Sequence, residues 1–147
     1  MGQYYYIVNV DKKEFIHPHK FGDGLKLLEF GCSSNGTLTG LTILLADGNN
    51  RGGGDLRSDN PIIGSWAGDR IVIAGDYADG GKFLPKITKK ELQRIAKESY
   101  SEGYQQPDRV NLYHLAQENF RDVSEKVIEA MKEDNYIKEE LRKGWGD

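Results

Sequence analysis

Apolar residues recur in two rhythms along this chain. From Tyr4 to Val10 aromatic and β-branched residues run almost unbroken (YYYIVNV), the pattern of a strand covered on both faces or packed on one side by helices. Asp11-Lys12-Lys13 makes a polar turn, and Glu14 to Ile16 returns antiparallel as the second arm of a hairpin. That hairpin delivers His17-Pro18-His19 to the end of a sheet. Arg70 to Ala74 (RIVIA), with Gly-Asp on either side, is a further strand expected to pair with the hairpin.

Elsewhere the rhythm is helical. Leu25, Leu27, Leu28 and Phe30 cluster within a few residues, and Gly31 suits the position just past a short helix, where a left-handed residue is wanted. Thr37 to Ala46 is ambiguous: Leu38, Leu41 and Leu45 fit one helical face, while Thr39, Thr42 and Ile43 are β-branched. Helix is the preferred reading, because Asp47-Gly48 supplies a stop. Thr88 to Glu91 forms a capping box ahead of Leu92, Ile95, Ala96 and Tyr100, predicting a helix over about 89–100. A longer helix opens at Asn111 or at Pro107-Asp108, with Leu112, Leu115, Val123, Val127, Ile128 and Met131 as its apolar stripe. Phe120 falls out of phase, which allows a break near Asn119. Asn135 then ends or bends the helix before Tyr136 to Lys143 resumes a helical composition. The expected fold is α+β: a small, mainly antiparallel sheet from the N-terminal half, with C-terminal helices packed on one face.

Composition sharpens this division. Fifteen of the eighteen glycines lie in residues 1–85, so the front half is built of turns and the back half of helices. No Pro-rich, Ser-rich or charged linker separates them, and 147 residues suit one domain, 1–147. Twenty basic residues are mixed with 23 acidic ones, for a net charge of −3, which disfavours nucleic acid as a partner. The lone cysteine, Cys32, has no internal partner, and no segment reads as a signal peptide or membrane span. A cytosolic protein is expected.

Candidate chemistry concentrates in the front half. In an extended segment His17 and His19 point the same way and suit zinc or a similar ion, but only His114 and Cys32 remain as ligands of that softness. Gly-Asp recurs at Asp23, Asp55, Asp69 and Asp76; such carboxylates hold divalent ions or act as acid and base, and equally they are what turns are made of. The turn reading is preferred; Asp69 and Asp76, which bracket the RIVIA strand, are the two that could meet the His-Pro-His end of the sheet. The loop from Asn49 to Trp66 is long, and Arg51-Gly52-Gly53-Gly54-Asp55 within it offers bare backbone N–H groups and an arginine to an anion, without a complete phosphate-loop pattern. Trp66, between glycines, either packs on the sheet or presents its ring to a ligand, core packing being the simpler reading. Tyr4 and Tyr6 share one strand face and Tyr5 the other.

The opening MGQYY and the runs HPHKFGDGLKLLEFG and GSWAGDRIVIAGDY resemble those of a family of small proteins that begin in the same way. The likeness runs the whole chain, and it implies a grouping without an activity, cofactor or catalytic residue. Three functions stay open. The first is a small binding or regulatory module, for a small molecule or a protein partner, with candidate residues His17, His19, Asp23, Arg51, Asp55, Trp66, Asp69 and Asp76. The second is a metal-dependent hydrolase or transferase of a small phosphorylated or nucleotide-like molecule, with His17, His19, Asp69 and Asp76 around a divalent ion. The third is a protein-interaction or inhibitor domain. No residue pattern names a cofactor or an oligomeric state.

Overall fold

The tyrosine-rich opening forms the second strand of a four-stranded sheet and is paired on both sides. A computed structural model describes residues 2–32, 36–78 and 111–134. In chain order these form β1 (Tyr5–Asn9), β2 (Glu14–Ile16), a 3-10 turn (Pro18–Phe21), α1 (Leu27–Gly31), α2 (Thr37–Leu45), β3 (Ile71–Gly75), α3 (Leu112–Asn119), β4 (Arg121–Asp122) and α4 (Ser124–Lys132). The sheet order is β3-β1-β2-β4, with β1 antiparallel to β2 and β3, and β4 parallel to β2. The fold is α+β, as the sequence pattern predicts. The predicted helix over 89–100 and the segment after Asn135 lie outside the described residues.

Alternation along β1 and β2 separates two cores. Tyr6, Val8 and Phe15 face one side, where Leu112, Tyr113, Leu115 and Ala116 of α3 cover them. Ile7 and Ile16 face the other, among Phe21, Phe30, Ile43, Leu44, Trp66, Val127 and Met131. The expected packing of the C-terminal helices on one face is corrected: α3 lies on one face of the sheet, and α4 with α2 on the other. The break near Asn119 makes this division, because the chain crosses the sheet edge as β4 between the two helices. Val123 N–H donates to the Phe15 carbonyl at 2.9 Å, so the crossing extends the sheet with residues from the back half.

Two local expectations are corrected. In α2 the buried residues are Thr37, Gly40, Ile43 and Leu44; Leu38 and Leu41 are half-buried and Leu45 is exposed. Gly40 sets this rotation, since a Cβ there would come within 2.6 Å of the Phe21 ring, and the helix turns its smallest residue toward that ring. In α1 only Phe30 is buried, Leu27 and Leu28 are exposed, and Gly31 is the last helical residue instead of the one beyond it.

Candidate functional site

The eight candidate side chains occupy six separate places. His17 and His19 stand together at the end of β2, their ring centroids 5.2 Å apart. Asp23 closes the start of α2, its Oδ2 accepting both the Thr37 N–H (2.8 Å) and the Thr37 hydroxyl (2.6 Å), which satisfies a helix N-terminus from a distant loop. Asp76 Oδ1 accepts the Tyr4 N–H at 3.0 Å and pins one end of β1 to β3. Asp69 sits at the opposite end of β3, bonded by Lys12 Nζ and by Asn9 Nδ2 at 2.9 Å. Asp69 and Asp76 do not meet the histidines as one group, because β3 holds the two aspartates apart, and each aspartate bonds at its own end of the strand. Among the described residues no group of three or more His, Cys, Asp or Glu side chains is placed to hold a metal ion.

Trp66 is a core residue with a polar anchor. Its ring is wholly buried, and its Nε1–H donates to Glu14 Oε1 at 2.9 Å. The other oxygen of Glu14 accepts from the Arg121 guanidinium at 2.5 Å, so a carboxylate that is only 6% exposed has both oxygens occupied. Gly64 explains the glycine before it: φ is +75°, and a Cβ would lie 2.4 Å from the Ala46 carbonyl oxygen. That close return lets the Gly64 and Trp66 N–H groups satisfy the Ile43 and Leu44 carbonyls at the C-terminal end of α2, both at 2.9 Å.

Beside α2 the long loop opens a cleft of about 1160 Å³. Leu38, Thr39, Thr42, Ile43 and Ala46 form one wall; Asn49, Gly54, Asp55, Leu56 and Arg57 face them; Ile63, Glu133 and Asp134 complete the border. The loop is held in shape by its own polar groups. Asn49 spans its base, donating to the Leu56 carbonyl at 2.8 Å and accepting the Leu56 N–H at 2.9 Å. Positive φ at Gly52, Gly53 and Gly54 turns the tip, and Asp55 Oδ2 accepts the Arg51 N–H at 2.9 Å. The chain's own carboxylate thus takes an N–H that the sequence reading offered to an anion. Glu133, at the end of α4, accepts from Ser58 Oγ (2.5 Å) and Asn60 Nδ2 (3.2 Å), and Asp134 accepts the Arg57 N–H at 3.3 Å.

The histidine pair belongs to a second cluster whose other members carry no sequence motif. Tyr6 stacks on Tyr113 with ring centroids 4.1 Å apart, and the His17 ring lies 4.8 Å from Tyr6. Burial pushes the Tyr6 hydroxyl up, against hydrogen bonds from Tyr113 and Gln117. Burial, with the neighbouring His19 and Lys20, holds His17 below the ordinary histidine value, Asp122 opposing. Lys20 is raised by its hydrogen bond to Asp122, a 2.8 Å ion pair. Burial pushes Asp122 up, but bonds from Lys20 and Ser124 outweigh it and leave the carboxyl low. Tyr113, Asp122 and Ser124 come from α3, β4 and α4, about a hundred residues from His17 in sequence, so only the folded chain assembles them.

No family model, curated protein or solved structure matches the chain. Among the described residues no helix is long and apolar enough to cross a membrane.

Proposed function

We propose that this protein is a cytosolic binding module whose site is the cleft between α2 and the glycine loop. The observation that carries the reading is the cleft itself: about 1160 Å³, with Ile43 and Leu56 buried beneath it and Asp55, Glu133 and Asp134 outnumbering Arg57 on its border. Small-molecule pockets typically span about 300–1,000 Å³ and combine apolar walls with a few placed polar groups. A cleft of this size and lining suits a ligand with an apolar body and a basic edge, either a small molecule or a short segment of a protein partner. The unpaired Cys32 is in keeping with a reducing compartment. The metal-enzyme reading has no comparable support, since Asp69 and Asp76 lie at opposite ends of β3 and no third His, Cys, Asp or Glu side chain among the described residues joins His17 and His19 to hold an ion.

Thr42 gives a clean test, because it is exposed on the cleft wall and, among the described residues, its hydroxyl bonds within its own helix, to the Leu38 carbonyl. Fragments and short random peptides selected on the wild-type protein are to be titrated against Thr42→Arg by calorimetry. Blocking the cleft with a long cation is expected to weaken true ligands by at least about tenfold, equivalent to ~1.4 kcal/mol. Selected binders that bind the variant as tightly as the wild type would place the site elsewhere.

A further inference from the structure

The turn after β2 is closed by a titratable group. His17 Nδ1 accepts the His19 backbone N–H at 3.2 Å, which requires that nitrogen to be unprotonated and puts the ring proton on Nε2. His17 is the N-cap of the Pro18–Phe21 turn, and this bond is its side-chain cap. The turn ends in Phe21, which is wholly buried, and its ring and Val127 of α4 are the atoms a Cβ on Gly40 of α2 would meet, at 2.6 and 3.2 Å. The turn therefore seats Phe21 where α2, which lines the cleft, packs on α4, whose C-terminal end leads into Glu133 and Asp134 at the cleft border.

Protonating Nδ1 turns the acceptor into a donor aimed at another donor, and places a cation beside His19 and Lys20. Every neighbouring element contributes to the balance. From β1, Tyr6 lies against the ring and stays neutral, its hydroxyl pushed up by burial. From β4, Asp122 attracts a charged His17, but that carboxylate is already engaged by Lys20 Nζ at 2.8 Å and by the Ser124 N–H at 2.9 Å. From α4, Ser124 Oγ accepts the His17 backbone N–H at 2.8 Å, and Glu125 bears on Lys20. From α3, Tyr113 and Glu118 act on Tyr6.

We propose that His17 is a proton-sensitive latch: neutral, it closes the turn that wedges Phe21 between α2 and α4, and protonated, it releases that turn and loosens the walls of the cleft. The direction is fixed by linkage. A histidine held below its ordinary value of 6.5 contributes stability that is fully present above 6.5 and is lost as pH falls through its lower folded value. The effect on ligands rests on the cleft reading, whereas the latch itself is read without any ligand.

The test is an NMR titration of the wild type, His17→Asn and His19→Asn, following the ring protons of His17 and the exchange protection of the amides at 19, 22 and 23. Protection factors divide out the intrinsic pH dependence of exchange. In the wild type and in His19→Asn, protection is expected to fall roughly fivefold in step with His17 protonation, the scale of one net hydrogen bond. In His17→Asn it is expected to stay level, because an asparagine oxygen caps without titrating. Titration of His17 at or above 6.5, unchanged protection through its titration, or the same fall in His17→Asn would each overturn the latch. Amides of α2 that fail to shift with the turn would overturn its coupling to the cleft. If His17→Asn does not fold, the wild-type correlation decides alone. Loss of ligand binding to the cleft leaves all these outcomes readable.

Discussion

Glu14 is the residue whose role the sequence hid most completely. A charged residue in a short hairpin arm suggests solvent exposure, yet it is buried because Trp66 and Arg121, 52 and 107 residues away, each take one of its oxygens. Neither partner can be inferred from local pattern, although Trp66 itself reads correctly as core from its place before a strand. Replacing Trp66 by Phe removes the donor and leaves Glu14 Oε1 without its bond, and is expected to cost about 1–3 kcal/mol in urea unfolding. Ser65 runs the other way: its Oγ is buried with no hydrogen-bond partner among the described residues. Ser65→Ala is therefore expected to be neutral or stabilising by up to about 1 kcal/mol. A clear loss of stability in Ser65→Ala would reveal a partner for that hydroxyl.

At the scale of elements, the strands and helices were legible where apolar spacing was unambiguous, and their faces were not. The helical reading of 37–46 holds, but the choice of Leu38, Leu41 and Leu45 as its buried face fails, because Phe21 docks on Gly40 and fixes the rotation. Gly40→Ala tests this directly. Alanine is worth about 1 kcal/mol over glycine within a free helix. Here the added methyl meets the Phe21 ring at 2.6 Å and Val127 at 3.2 Å, both in a fully buried cluster, and overpacking of this kind costs about 1–3 kcal/mol. Net destabilisation is expected in thermal and urea unfolding, and a more stable Gly40→Ala would contradict the wedge. The break at Asn119 was legible from the phase slip at Phe120. That the break would become a strand was not, since two residues pairing in parallel with β2 leave no local signature.

Across the whole molecule, the candidate residues proved to be spread over structural tasks: capping α2, pinning β3 at each end, anchoring the core. The irregular backbone of the glycine loop was legible, because three consecutive glycines with positive φ are a conformational requirement visible in composition. The α2 wall opposite, and Glu133 and Asp134 just past the C-terminal end of α4, depend on long-range packing and were invisible. Global stability should also fall on acidification below the His17 range. Asp11, held by Arg70, Asp69, held by Asn9 and Lys12, and Asp122 all lie below the ordinary carboxyl value of 3.8. Carboxyls lowered in the folded state contribute stability that is present above 3.8 and is lost as pH falls through their folded values. Urea midpoints followed from about pH 5 to about pH 2 are expected to decline across that lower range, and high salt should blunt the part owed to the exposed pairs. A flat acid limb would contradict these pairings.

The cleft is the claim on which the functional account turns, and amide chemical-shift mapping with a mixed fragment library tests it most directly. Binding at the proposed site is expected to move Leu38, Thr42, Ala46, Leu56 and Arg57 together while leaving the exposed Ile73 of β3 still. Perturbations gathered at Tyr6, His17 and Tyr113, with the cleft unmoved, would contradict it.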